Sequence, residues 1–327
     1  MLIPPKYNLN NEITELLNSI EASKEVIDSV TIPPEIELNI RRQSTLRSSL
    51  YSARIEGNEL TLDTLHKDPS KTQAKAEVFN TLKTLNWLFT RRNKDTSLAE
   101  ILKMHEITMS GLVEPSERGK LRREMSATFN KAGIAIYLHP APRTIEPHMN
   151  RLIKYINSDK ERFFPIKAVL AHYSFEKIHP FLDGNGRVGR ILIQKILAQG
   201  GYGMKGLLAI EEYIDNHRPE YYRSLEEPDK DVTEYVEFML TAIADTAKKV
   251  KEAVATQRQY EVEDYLLPRR AELLRIIKEQ KIINFDSLQR RFLHVNGRTL
   301  RYDIKKLQDG GFVRKRGTTR GVYYEAV

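Results

Sequence analysis

Cysteine is absent from the 327 residues, and with it go disulfides, thiolate nucleophiles and every zinc or iron–sulfur site built on thiolates. That composition favours a reducing, cytoplasmic setting. No run of about eighteen apolar residues exists, and the amino terminus, MLIPPKYNLNNEITELL, has no basic stretch leading into an apolar one. Neither a membrane span nor a secretory signal is expected. Low-complexity segments and internal repeats are missing too. With 40% hydrophobic and 29% charged residues, the composition is that of a globular chain with a sizeable core, long enough for about two domains.

What is present in excess is positive charge: 52 Lys and Arg against 44 Asp and Glu give a formal +8. Its distribution is uneven. Residues 269–327 carry fifteen basic and six acidic residues, net +9, so the preceding 268 residues sum to −1. A basic balance speaks about anionic partners rather than fold, and here it concerns the tail alone.

Long apolar-periodic segments and few alternating ones predict a mainly α protein. Helices are expected over about 9–30, 34–55, 71–93, 97–111, 145–158, 162–177, 185–198, 217–225 and 231–264. Between Asn130 and Pro142 the run Ala132-Gly133-Ile134-Ala135-Ile136-Tyr137, followed by His139-Pro140-Ala141-Pro142, predicts an extended hairpin ending in a proline-stiffened loop. Pro268 marks a boundary. Beyond it, helices over about 269–280, 285–292 and 298–309, the last ended by Gly310-Gly311, and a hairpin from Phe312 to Tyr324 with its loop at Gly317 to Gly321 predict a winged helix. Leu300, Ile304 and Leu307 would face its core and leave Arg298, Arg301 and Lys305 outward, where a recognition helix meets a major groove. Arg314, Lys315, Arg316 and Arg320 would sit on the wing. Duplex DNA is one partner for such a surface; an acidic protein or a dimerisation role is the other reading.

The chemistry concentrates in His179-Pro180-Phe181-Leu182-Asp183-Gly184-Asn185-Gly186-Arg187-Val188-Gly189-Arg190, which follows one apolar helix and opens another. A Gly-Asn-Gly turn at a helix start leaves backbone N–H groups convergent, and the helix dipole adds positive potential, so an anion such as phosphate is the natural guest. Arg187 and Arg190, three apart, can fork onto successive phosphates. Asp183 offers a hard oxygen suited to Mg²⁺, and His179 can serve as a general base near neutral pH.

This string resembles the Fic family signature, HxFx(D/E)GNGRxxR, at every fixed position. The likeness extends over about 35–245: Ala171 to Ile178 resembles the preceding helix, the 132–142 hairpin the target-docking flap, and Arg218 to Leu225, with Tyr221 and Tyr222, the segment beside the adenine pocket. The resemblance implies a Fic-type helical bundle with a β-hairpin flap, followed here by the winged helix, and transfer of AMP from ATP to a Ser, Thr or Tyr hydroxyl of a protein, self-modification included. On that likeness His179 deprotonates the hydroxyl and Asp183 holds Mg²⁺. Gly184, Asn185 and Gly186 cradle phosphates, and Arg187 and Arg190 bind the β and γ positions. Removal of AMP, transfer of another nucleotide or phosphate group, and a DNA-binding regulator with a nucleotide-sensing Fic domain stay open beside it. Association into a homodimer through the Fic domain is a further implication.

Upstream, Ser52-Ala53-Arg54-Ile55-Glu56-Gly57 is similar to the (S/T)xxxE(G/N) inhibitory motif that precedes many Fic domains. It implies that Glu56 meets Arg190 where the γ-phosphate belongs and that Ser52 supports it, making an intramolecular brake. The expected organisation is an N-terminal helical region with this motif over 1–110, a catalytic core over 111–245, a helical linker over 246–267 and the winged helix over 268–327. Two other matches lack their context. Gly201 to Gly206 fits GxGxxG but follows a helix rather than a strand, and His105-Glu106 begins like a zincin helix yet has Met109 where a second His is required.

Overall fold

A computed structural model describes every residue except 33, 68–71, 91–94, 130–132, 257–265, 293–294 and 318–320. The chain divides into two compact units, residues 1–29 with 43–252, and residues 30–42 with 253–327. Fourteen α-helices and five short strands are found among the described residues, so the mainly α expectation holds.

The first unit is organised around two helices, α7 (Phe164–Ile178) and α8 (Asn185–Gln199), which pack along each other. Both are buried on nearly every side, as apolar-all-round helices in a large core must be. Ile166, Val169, Leu170 and Phe175 of α7 join Val188, Ile191, Leu192 and Ile196 of α8 in one continuous apolar cluster. Around this pair stand α1 (Asn11–Ser29), the second part of α2 (Pro34–Ile55), α3 (Leu62–Lys67), α4 (Gln73–Phe89), α5 (Leu98–Thr108) and α6 (Pro142–Ile156). α9 (Ile210–Asn216), α10 (Arg218–Leu225) and α11 (Thr233–Thr256) complete it.

Helix starts follow local chemistry. The Thr72 hydroxyl accepts from Lys75 N–H at the head of α4, the Ser97 hydroxyl from Glu100 N–H at the head of α5, and Pro142 opens α6, where a missing N–H costs nothing. A buried ion pair, Lys195 Nζ to Glu100 Oε2 at 2.9 Å, ties α8 to α5.

Two strands, β1 (Ala127–Phe129) and β2 (Ala135–Leu138), form an antiparallel hairpin with a register shift between Thr128 and Phe129. Its first strand lies upstream of the predicted stretch, because Thr128 and Phe129 supply the β-forming residues; Asn130 to Ala132 lie outside the described residues. Pro142 starts the next helix instead of ending the loop. The predicted 231–264 helix is described as Thr233–Thr256, its last part again falling outside the described residues.

In the second unit α12 (Pro268–Gln280), β3 (Ile282–Asn284), α13 (Phe285–Arg291), α14 (Gly297–Asp309), β4 (Val313–Arg316) and β5 (Tyr323–Ala326) follow in order. The strands make an antiparallel sheet in the order β3-β5-β4. Three helices and a three-stranded sheet in this order are consistent with a winged helix. Leu273, Ile277, Leu288, Leu300, Ile304 and Leu307 form its own core, as the spacing in α14 anticipates. Strand β3 is too short to leave a period in the sequence.

Candidate active site

The segment His179 to Gly184 carries the chain from α7 to α8 through two left-handed residues, His179 (φ 50°) and Gly184 (φ 82°). A side chain at Gly184 would be both strained and blocked, since its Cβ would lie 2.5 Å from Met109 Sδ. The Asn185 side chain is buried and closes the turn on itself. Its Oδ1 accepts from Phe181 N–H at 2.9 Å and its Nδ2 donates to Phe181 carbonyl at 2.9 Å. Asn185 therefore shapes the loop with its side chain and offers only its backbone to the mouth of α8.

Three residues outside the glycine-loop motif hold this loop. Arg122, 2% exposed, meets no carboxylate. Its Nε donates to His179 carbonyl, its Nη1 to Glu124 carbonyl and its Nη2 to Pro140 carbonyl, each at 2.7 Å. One guanidinium thus joins the loop to the base of the β1–β2 hairpin. His105 accepts from Gly119 N–H at Nδ1 (2.9 Å), which leaves Nε2 protonated to donate to Asp183 carbonyl (3.0 Å), and its ring stacks on Phe181 at 3.8 Å. His139, at the end of β2, stacks face to face on His179 at 4.1 Å and is hydrogen-bonded to Thr128 Oγ1. None of the three belongs to a local motif, and their partners are mostly backbone carbonyls and rings distant in sequence.

The loop borders a cavity of about 750 Å³ lined by His179, Gly186, Arg190, Glu56, Tyr221 and Tyr222, among others. Arg190 is 1% exposed and its donors converge on the end of α2. Nε donates to Ser52 Oγ (3.0 Å), and Nη2 to Ser52 carbonyl (2.9 Å) and Glu56 Oε1 (2.8 Å). The structure thus brings Ser52, Glu56 and Arg190 together across 134 to 138 residues of chain. Gly186 lies directly beneath them, and a Cβ there would lie 2.2 Å from Glu56 Oε1 and displace that carboxylate.

Asp183 is exposed at the loop's outer side and pairs with Arg187 Nη2 at 3.2 Å. The Arg187 guanidinium is buried, and its Nε and Nη1 have no hydrogen-bond partner. Buried donors without acceptors are costly, so Arg187 is set to receive an anion. Tyr221 is fully buried and packs on Tyr222, whose hydroxyl donates to Ile55 carbonyl at 3.1 Å. No group of three or more His, Cys, Asp and Glu arranged to hold a metal exists among the described residues.

Burial sets the protonation states. It lowers His179 to about 4, with a hydrogen bond to Glu176 carbonyl opposing the shift, so the imidazole is neutral at physiological pH. His139 falls to about 3 for the same reason, reinforced by His179, and His172 to about 3. His172 is enclosed and hydrogen-bonded to Tyr235. Glu176 is raised to about 8 by burial, against the pull of Arg190, so it stands protonated beside that arginine.

A buried helix pair joined by a glycine turn, with unpartnered cationic donors at a helix start and a cavity alongside, is an arrangement that could take an anionic ligand. Residues 95–197 match the family described as Fic/DOC. It is 26% identical over 234 residues, 67% of its length and 44% of the relative's, to the protein adenylyltransferase Fic of Aedes aegypti. To the protein of the same name in Nematostella vectensis it is 27% identical over 242 residues, 69% and 53% of the two lengths. The chain spans about half the length of the curated relatives it matches. Among solved structures, a Fic family protein from Desulfovibrio desulfuricans G20 superposes with a TM-score of 0.69 at 25% identity, covering 99% of this chain and 98% of that one. Fic-1 of C. elegans superposes over 75% of this chain and 73% of its own with a TM-score of 0.61 at 21% identity, a likeness of fold.

Proposed function

We propose that this protein transfers AMP from ATP to a protein hydroxyl and that it is held back by its own Glu56. The observation that carries the reading is the buried Arg190 engaged by Glu56 at 2.8 Å directly over Gly186, at the lip of a cavity that also holds His179. The names of the adenylyltransferase relatives supply the reaction class.

In this reading the α8 N-terminus and the unsatisfied donors of Arg187 receive the phosphates, while Tyr221 and Tyr222 wall the part of the cavity nearest the base. The incoming hydroxyl loses its proton to the neutral His179. Its oxygen bonds to the α-phosphorus as the bond to the bridging oxygen breaks, and pyrophosphate leaves. The β1–β2 hairpin beside His179, anchored by Arg122 and His139, would present the target. Asp183, an exposed carboxylate at the phosphate cradle, is a donor that fits Mg²⁺ arriving with the nucleotide, and this ion would neutralise charge on the departing pyrophosphate. Glu56 occupies the arginine that a γ-phosphate would use, and two anions cannot share one guanidinium edge without repulsion. ATP supply favours the cytoplasm as the setting.

The test compares ATP labelled at the α-phosphate with ATP labelled at the γ-phosphate, using the Glu56→Gly variant and Mg²⁺. Label on protein from the α position alone, with pyrophosphate released, is the expected result. Label from the γ position would mean phosphoryl transfer and would overturn the adenylyl assignment.

A further inference from the structure

We propose that the outward face of α14 is a duplex DNA interface, and that it, rather than the β4–β5 hairpin, carries most of the phosphate contacts. The inference comes from which charges of the second unit are already compensated. Arg269 and Arg270 both engage the buried Asp303, at 2.5 and 3.0 Å, and Lys306 lies 3.9 Å from Asp309. On the hairpin, Arg316 Nε sits 2.7 Å from Glu325 and Arg314 Nη1 4.0 Å from the same carboxylate. Those two arginines are exposed, but they share an internal counterion.

Helix α14 differs. Leu300, Asp303, Ile304 and Leu307 are its buried side, and Arg298, Arg301 and Lys305 project from the opposite one. Arg298 and Lys305 have no ion-pair partner among the described residues, and Arg301 only lies over the Phe285 ring at 4.1 Å. Tyr302, 56% exposed, lies on the same face. Asn296 caps the helix by accepting from Arg298 N–H, so the positive end of the dipole opens toward Arg298.

Three cations within two turns of one helix, without local acids to screen them, repel each other unless an external polyanion is present. Their spacing at i, i+3 and i+7 matches a helix laid along a groove with phosphates on either side. An acidic peptide would suit the charge equally, but the narrow helical ridge flanked by a basic hairpin fits a duplex groove better than a single extended chain. Lys315, exposed on β4, adds one cation from that hairpin, and Arg320 lies outside the described residues.

The experiment titrates the full chain against a fluorescent duplex of arbitrary sequence between about 50 and 200 mM salt. Binding that weakens steeply with salt is expected. Alanine at Arg298, Arg301 and Lys305 together should reduce the log–log salt slope by about three, roughly one per phosphate contact. Arg314→Ala with Arg316→Ala should reduce it by less than one. All five side chains are exposed, and unchanged thermal unfolding of the variants confirms that they fold. No duplex binding at the lowest salt, a slope unchanged by the triple variant, or tighter capture of poly-glutamate than of duplex would each overturn the proposal, the last in favour of an acidic protein partner.

Discussion

His179 shows how surroundings set the protonation state of a side chain. The ring is pinned at a left-handed residue, stacked on His139 and held by the Arg122 clamp on its own carbonyl, and burial lowers its pKa to about 4. A base must be neutral to accept a proton, so between pH 5 and 8 this group should impose no limit on rate. In the Glu56→Gly variant, kcat/KM should fall on the acid side with an inflexion near pH 4, while fluorescence of the lone tryptophan, Trp87, reports that the fold persists. An inflexion near 6.5 would mean an ordinary solvated histidine. Most of the site was legible at this scale, because phosphate chemistry packs His179, Asp183, Gly186, Arg187 and Arg190 into twelve consecutive residues. Arg122, His105 and His139 were not legible. Each acts mainly through backbone carbonyls or ring faces, and such partners impose no residue type elsewhere in the chain.

Among the elements, the segment that positions Glu56 is fastened at more than one point. Arg47 of α2 pairs with Glu212 of α9 at 2.6 Å, and Arg54 of α2 pairs with Asp215 of α9 at 3.0 Å. Asp215 is 2% exposed as a side chain and also takes Arg218, which lines the cavity, so the end of α2 and the wall of the cavity share one carboxylate. Removing Arg54 should loosen α2 without touching Arg190 or His179. Partly exposed pairs of this kind are worth about 0.5–1 kcal/mol, so Arg54→Ala should raise labelling roughly two- to fivefold, well below Glu56→Gly. Activity equal to wild type would show that α9 plays no part in holding the brake.

These contacts were beyond the sequence reading because α9, at seven residues, is too short for a helical period to emerge, and its acids look like any solvated cluster. Long elements fared differently. α7 and α8 were expected within a residue or two, since apolar side chains fill nearly all their positions. The hairpin was placed correctly in its second strand only, as β1 has three residues and a shifted register.

At the scale of the whole molecule, the formal +8 is unevenly distributed along the chain. The first 268 residues carry almost no net charge, and the proposed phosphate site within them holds its cations locally, buried Arg187 and Arg190 near the start of α8. The second unit spreads fifteen basic residues over residues 269–327, with Arg298, Arg301 and Lys305 on the exposed side of α14, the surface proposed for duplex DNA. Two separate apolar clusters support the two arrangements, one centred on α7 and α8, the other on α12 and α14. No helix among the described residues is long and apolar enough to cross a membrane.

The most direct measurement is incorporation of α-phosphate label from ATP into protein by three forms of the full chain: wild type, Glu56→Gly, and Glu56→Gly combined with His179→Ala. Weak labelling of the first, strong labelling of the second and none of the third is the expected pattern. Equal labelling of wild type and Glu56→Gly would contradict the brake formed by Glu56 and Arg190, and labelling that survives in the double variant would remove His179 from the chemistry.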